Sequence, residues 1–292
     1  MFLTNRANAA NLICLLLCSL PSSFVSAAGK SPFDFNVQSF VVSDDNIGRS
    51  QFNADREDDV ILNTTADATF TKGFGTLSAL RFTASFRDER FSDFDGLSSS
   101  QAGVTVDYRF QTRISFSAPR YSVFVRFTDL DFETDIRDGD SLELGFSVAK
   151  RLTNKITAAV GVTGSDREAR GAVFDLERIR YFGNLDWQLT PRVAMYSNYS
   201  FIDGDVFSTA TPNLQILNWA DAIEPDNAFG GVANSKFVYR LDADTQILRL
   251  GTNIAINQGS SLDISIDVLD SDAAGPIDYD LFSFSMGLLV NF

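Results

Sequence analysis

The 292-residue sequence contains no histidine, only two cysteines and fewer basic than acidic residues. The absence of histidine removes the commonest general base and the commonest metal-ligating side chain. It therefore excludes Ser-His-Asp and Cys-His catalysis, and any zinc site that depends on imidazole. The 24 Lys and Arg against 38 Asp and Glu give a net charge of −14. This charge argues against a nucleic-acid partner, because nucleic-acid binding requires a basic surface.

Phenylalanine, in contrast, is abundant, with 27 residues. A disordered acidic chain has few aromatic residues, so the composition indicates an ordered protein. The chain length allows one large domain or two ordinary ones.

The first 28 residues have the features of a secretory signal peptide, which are an early arginine, an apolar run and small residues at a cleavage site. Cys14 and Cys18 both lie in this segment, so the mature chain has no cysteine. Export without disulfides is typical of a bacterial envelope protein. The sequence therefore predicts a signal peptide at 1–28 and a single domain at 29–292.

The mature chain alternates between apolar and polar residues. In the clearest stretch, 101–117, Val104, Val106 and Tyr108 alternate with charged residues such as Asp107 and Arg109. This period of two predicts strands with one apolar face, and about 9–11 tilted residues are enough to cross a bilayer. The predicted strands are 33–42, 58–70, 76–87, 101–117, 121–130, 140–150, 155–165, 175–189, 192–203, 235–257, 261–270 and 278–292.

Short turns and long polar loops alternate between these predicted strands, as in a membrane barrel with its short turns in the periplasm. Both chain ends then lie in the periplasm, and the strand number is an even twelve. A first strand that is only a tether, or a hairpin hidden in 204–234, would change the count to 10 or 14. A soluble β-sandwich is disfavoured because its strands usually have about 5–6 residues.

The last predicted strand keeps its alternation to the final residue. Its apolar positions include Phe284, Leu288, Val290 and the terminal Phe292. A terminal phenylalanine that closes an alternating strand resembles the C-terminal signature of Gram-negative outer-membrane β-barrels. The resemblance implies an all-β, single antiparallel transmembrane barrel, with these four residues read by the barrel-assembly machinery. It covers the mature chain as architecture and singles out no family within the class.

The same resemblance implies a location in the bacterial outer membrane, in contact with lipid and lipopolysaccharide. Trimeric porins usually have more strands, so a monomer is expected.

Charged residues on the polar face of the strands are predicted to point into the barrel, because charge on the lipid face costs a few kcal/mol at the midplane. Arginines cluster on the third to fifth strands, and Asp34, Asp67, Asp263 and Asp267 are expected roughly across the barrel. A basic wall facing an acidic wall would resemble the constriction of general diffusion porins. The predicted pore-lining residues are Arg81, Arg87, Arg109, Arg113, Arg126, Arg180, Arg249, Asp107, Glu143, Asp186, Asp263 and Asp267.

These features predict a channel for passive diffusion of small hydrophilic solutes, with a preference for anions because arginine rings favour them. The alternative is a plugged barrel, in which acidic and basic residues pair between neighbouring strands. Such a barrel would be structural or adhesive and would bind a partner through its acidic loops. Twelve strands lie between the filled eight-stranded and the open sixteen-stranded barrels, so size does not decide.

No enzymatic activity and no cofactor are predicted. Barrel phospholipases, surface proteases and lipid A-modifying barrels resemble this architecture, but their chemistry relies on histidine. The third long loop carries clustered carboxylates, which are typical ligands of Ca²⁺ or Mg²⁺. A solvated acidic loop is the favoured interpretation, and no metal site is predicted. The clustered residues are Asp129, Asp131, Glu133, Asp135, Asp138 and Asp140.

Overall fold

The computed structural model describes residues 32–229 and 236–292, so the predicted signal peptide at 1–28 lies outside the described residues. Within those ranges, no helix has both the length and the apolar character needed to cross a membrane. The elements are β1 (Phe33–Asp44), β2 (Asp59–Phe74), β3 (Ser78–Phe91), β4 (Ser99–Gln111), β5 (Arg120–Phe132), β6 (Gly139–Arg151), β7 (Ile156–Ala169), β8 (Leu176–Thr190), β9 (Val193–Ala210), α1 (Leu214–Leu217), β10 (Ala222–Pro225), β11 (Phe237–Ala255), β12 (Ser260–Ala273) and β13 (Ile277–Asn291).

Twelve of the strands form a closed antiparallel barrel. Each strand from β1 to β8 pairs with the next, β9 pairs with β11, β11 with β12, β12 with β13, and β13 with β1. The short strand β10 pairs only with one end of β11. The predicted all-β barrel of twelve strands is confirmed. The alternatives of a tethered first strand and of an extra barrel hairpin in 204–234 are wrong, because β1 pairs on both sides and β10 is not a barrel strand.

One predicted strand is too long at its short-turn end. β4 ends at Gln111, whereas the alternation continues to residue 117. Gln111 pairs with Arg120, the first residue of β5, and β3 starts opposite Phe110. The segment 112–119 therefore has no neighbouring strand to pair with, and it forms a turn despite its alternating residues.

The two faces of the barrel differ in polarity as the alternation predicts. Large apolar side chains point outwards, and Val104 keeps 54% of its surface exposed. The inward positions of the same strand include Gln101, Thr105 and Asp107, all of which line an interior cavity. An exposed apolar belt around a closed barrel with a polar interior is the arrangement of transmembrane β-barrels.

Four inward aromatic rings each lie over a glycine on the neighbouring strand. The cross-strand partners are Phe40 with Gly287, Phe124 with Gly145, Phe182 with Gly161, and Tyr196 with Gly251. A Cβ atom on any of these glycines would lie within 2.4 Å of the facing ring. Glycine is therefore required at these positions so that the rings can lie against the wall.

The long connections at the other end of the barrel pack together into a loop cap, formed by segments 45–58, 92–98, 133–138, 170–175 and 211–229. Short 3₁₀ turns occur in several of them. Phe174 from one segment packs with Val238 of β11, and Leu97 packs with Phe229. Ile216 of α1 joins a buried cluster on the inner faces of β9, β11, β12 and β13. The barrel is thus filled by apolar side chains near this end.

Candidate functional site: the charged barrel interior

A cavity of about 530 Å³ lies inside the barrel against strands β1–β6, and we call it the lower cavity. Its uncharged lining is mostly hydroxyl and amide side chains, such as Thr83, Gln101 and Thr105. The alternation of β3, β4 and β5 turns every second residue towards it. Its charged lining residues are Asp67, Arg81, Arg87, Asp107, Arg109 and Arg126.

Only some of these charges are paired. Arg109 Nε donates to Asp107 over 2.6 Å, and the Ser122 hydroxyl donates to the other oxygen of that carboxylate. Arg126 forms a longer ion pair of 3.3 Å with Glu143 on β6. Within residues 32–229 and 236–292, Arg81 and Arg87 form no ion pair. Two guanidinium groups therefore remain available to a solute in this cavity.

The carboxylates expected across the barrel are already engaged on the wall. Arg249 binds Asp267 through two hydrogen bonds of 2.5 and 2.8 Å. Asp263 accepts hydrogen bonds from the Tyr196 hydroxyl at 2.6 Å and from Asn253. Both carboxylates are buried, and neither lines the lower cavity.

The predicted opposition of a basic and an acidic wall is therefore wrong. Asp34 and Asp67 lie on β1 and β2, which adjoin the arginine-bearing β3 in the closed barrel. Asp263 and Asp267 do lie across from this wall, but their charge is compensated locally. Pairing between neighbouring strands, which the alternative interpretation expected, accounts for Arg126–Glu143 and Arg249–Asp267.

The remaining predicted pore-lining residues are dispersed. Arg180 and Asp186 are exposed on the inward side of β8 but line neither described cavity. Arg113 lies in the turn 112–119, outside the barrel wall, because β4 ends two residues earlier. Of the twelve predicted residues, the lower cavity brings together Arg81, Arg87, Asp107, Arg109 and Arg126.

The predicted assembly segment forms the end of the barrel's last strand. Phe284 and Leu288 are exposed on the outer face of β13, and Val290 pairs with Val37 of β1. β13 ends at Asn291, and Phe292 follows it. Recognition of this segment by the barrel-assembly machinery stays a prediction.

The carboxylates of the acidic third loop form separate contacts with different partners. Asp138 accepts the Phe132 backbone N–H at 2.7 Å and pairs with Arg170. Glu133 pairs with Arg90 of β3 at 3.3 Å. In the part of the chain that the structure describes, no group of three or more carboxylates has the geometry of a metal site.

A second interior space, the upper cavity, lies beneath the loop cap and has a volume of about 360 Å³. Four arginines line it, namely Arg49, Arg137, Arg167 and Arg178, together with Asp44 and Glu89. The sequence predicts Arg49, Arg137 and Arg167 only as parts of the outer loops. No sequence signal brings Arg49 and Arg137 to this point, because loop side chains have no periodic direction, whereas Arg167 continues the inward alternation of β7 beyond its predicted end at 165.

Arg137 forms the central contact of the loop cap. Its guanidinium donates to Asp226 at 2.6 Å and lies over the Phe174 ring at 4.3 Å. Its side chain is 5% exposed and that of Asp226 is 0% exposed. Burial lowers the pKa of the Arg137 guanidinium, and Asp226 opposes this shift. The pair joins two long loops, and Asp226 also accepts the Thr209 hydroxyl.

No family model matches the chain, and no curated protein matches it in sequence. Among solved structures, an outer membrane channel from Pseudomonas putida F1 is similar with a TM-score of 0.55 and 11% identity, over 94% of this chain and 100% of that chain. The KdgM porin in complex with disordered oligogalacturonate gives 0.45 and 7% identity, over 88% and 99%. The Salmonella typhi outer membrane phospholipase gives 0.47 and 10% identity, over 88% and 90%. At such identities the similarity to the Pseudomonas channel concerns the fold, and the chain has the closed fold of the porin-like outer-membrane β-barrels.

Proposed function

We propose that this protein is an outer-membrane channel through which small hydrophilic solutes, preferentially anions, diffuse passively. The observation that carries the proposal is the polar lower cavity, in which Arg81 and Arg87 have no ion-pair partner in the described chain. The apolar outer belt supports a membrane location. The similar Pseudomonas putida structure is named as a channel, and the same activity is proposed here.

The spacing of the two arginines favours solute passage over a purely structural role. Arg81 and Arg87 point inwards from the same strand, and six residues of β3 span about 20 Å. Because barrel strands tilt by about 35–45°, this separation is about 15 Å along the barrel axis. The four arginines of the cavity outnumber its two aspartates, and an excess of positive charge in a low-dielectric enclosure raises the local concentration of anions.

The proposal is tested by planar-bilayer recording of the refolded protein in a KCl gradient. We expect discrete conductance and a reversal potential on the anion-selective side. The Arg81→Ala/Arg87→Ala variant should move the reversal potential towards zero or into the cation-selective range. Arg90→Ala is the matched control, because Arg90 lies on β3 but outside the lower-cavity lining and pairs with Asp88.

Two results would reject parts of this proposal. Folded protein that conducts at no voltage rejects the channel. A reversal potential that is equal in the wild type and the double variant rejects the role of the two arginines.

A closed structural or adhesive barrel is the second candidate, and the loop cap favours it. The apolar clusters and the buried Arg137–Asp226 pair close part of the barrel end. For this candidate, the wild type should not conduct, and a variant with a loosened cap, such as Asp226→Ala, should. Under either candidate the protein is not an enzyme, since the histidine on which known barrel enzymes depend is missing.

A further inference from the structure

Arg167 and Arg178 line the upper cavity, and each has a buried donor that lacks an acceptor. Arg178 is held by a hydrogen bond from Nε to the Asp205 carbonyl oxygen, and Arg167 by one from Nη2 to the Arg137 carbonyl oxygen. These bonds orient the guanidinium groups and use only part of their five donors. Buried Arg178 Nη2 and Arg167 Nε have no partner among the described residues.

Arginines surround these donors, and Asp175 and Asp205 attract Arg167 and Arg178 only from beyond ion-pair distance. Arg49 interacts electrostatically with Arg137, Arg167 and Arg178, so four positive groups surround one space. Asp226 neutralises Arg137. No carboxylate of the described chain forms an ion pair with Arg167 or Arg178.

The carboxylates that do line the cavity lie on its far side. Asp44 and Glu89 come from β1 and β3, across the barrel from β7 and β8. Arg49 interacts electrostatically with both of them, and Asn63 donates to Glu89 at 2.9 Å. Buried charge is normally paired directly, and the arginines of β7 and β8 have no directly paired carboxylate in the described chain.

Apolar side chains form about half of the cavity lining. Phe91, Leu97, Phe132 and Leu176 line it together with Ile61, and Ser141 and Ser165 add two hydroxyl groups. A cavity of about 300–1,000 Å³ that combines apolar walls with a few convergent polar groups is typical of small-molecule sites. The cavity volume of about 360 Å³ lies at the lower end of that range.

We propose that the upper cavity binds a small organic anion, with its carboxylate on Arg167 and Arg178 and an apolar, ring-sized body against Phe91, Phe132 and Leu176. Paired guanidinium groups match the two oxygens of a carboxylate and form strong, charge-assisted hydrogen bonds. The apolar part of the wall favours an organic anion over an inorganic one, because an apolar body buries surface there and an inorganic anion has none to bury. This goes beyond the proposed channel, since binding requires no conduction.

Binding is measured by isothermal titration calorimetry of the refolded full-length protein in detergent, with benzoate as the probe. We expect saturable benzoate binding, and at least about tenfold weaker binding of benzamide, acetate and inorganic phosphate, since tenfold corresponds to about 1.4 kcal/mol. Benzamide lacks the charge, acetate lacks the ring, and phosphate lacks the apolar body. Each comparison therefore isolates one part of the proposal.

Two substitutions test whether benzoate binds at Arg167 and Arg178. Arg167→Gln and Arg178→Gln should each weaken benzoate binding by about tenfold or more, the effect of losing a charge-assisted contact. Arg180→Gln is the control, because Arg180 points inwards from β8 two residues further along and lines neither cavity. Heat-modifiable gel mobility verifies that each variant is folded.

Several outcomes would overturn the proposal. Folded wild type that does not bind benzoate rejects the site, and equal binding of benzamide rejects the arginine contact. Phosphate binding as tight as that of benzoate rejects the proposed contact between the ring and the apolar side chains. Benzoate binding without bilayer conductance rejects the channel and leaves this binding site in place. Conductance without benzoate binding rejects the binding site and leaves the channel in place.

Discussion

Replacing Asp226 by alanine removes the carboxylate that compensates a buried arginine of the loop cap. Arg137 would keep its position between two long loops, with its guanidinium over Phe174 and without an anionic partner. The Thr209 hydroxyl and the Ala228 backbone N–H would lose an acceptor as well. The perturbation therefore acts on the contacts that join the cap segments and on one contact of the cap with β9.

The expected cost follows from the burial of the pair. Breaking a buried ion pair by removing one partner costs about 3–5 kcal/mol, because the remaining charge is desolvated and unpaired. The side chains of Arg137 and Asp226 are 5% and 0% exposed, so this range applies without a reduction for solvent screening. Arg170 is the control, because its own side chain is 64% exposed in its contacts with Asp135 and Asp138, and Arg170→Ala should cost less than about 1 kcal/mol.

Tryptophan fluorescence during urea unfolding in detergent measures this cost at the cap. The chain has two tryptophans, and Trp219 lies against Gly275 at the turn between β12 and β13. Trp187 is exposed on the outer face of β8. A Trp187→Phe background leaves Trp219 as the single reporter of the cap.

The double variant Arg137→Met/Asp226→Ala tests whether the unpaired charge of Arg137 causes the loss of stability. It removes both charges and should recover most of the free energy of unfolding lost in Asp226→Ala. The argument fails if Asp226→Ala costs less than about 1 kcal/mol. It also fails if the double variant is no more stable than the single one.

Two further predictions concern the barrel wall. Gly145→Ala should lower the free energy of unfolding by about 1–3 kcal/mol, since its Cβ would lie 2.2 Å from the Phe124 ring, whereas Gly164→Ala, with open space around its Cβ position, should not. In lipid vesicles, Val125→Arg on the outer face of β5 should cost about 2–4 kcal/mol more than Val125→Ala, because it places charge in lipid. Urea titrations measure both, and an equal cost within either pair would contradict the structure at that position.

The barrel and the face of each strand followed from the sequence. Strand side chains alternate with a period of two, and lipid demands apolar side chains on the outside, so the alternation of 101–111 was enough to point Asp107 and Arg109 inwards. Strand ends were less predictable. Pairing with neighbouring strands sets them, which is why Arg113 lies in a turn although its stretch still alternates.

Contacts between neighbouring strands required the pairing register. The register placed Asp267 beside Arg249, and the consecutive pairings of β1, β2 and β3 placed Asp34 and Asp67 next to the arginine wall and not across from it.

The sequence by itself determined a twelve-stranded barrel with an arginine-rich interior, because each of these features is periodic or local in the chain. Only the tertiary structure decided which charges stay unpaired, and that loop arginines such as Arg49 and Arg137 turn inwards above the strands. Loops have no period that sets the direction of a side chain. Their positions follow from packing between segments that are far apart in the chain, as in the contact of Arg137 with Asp226.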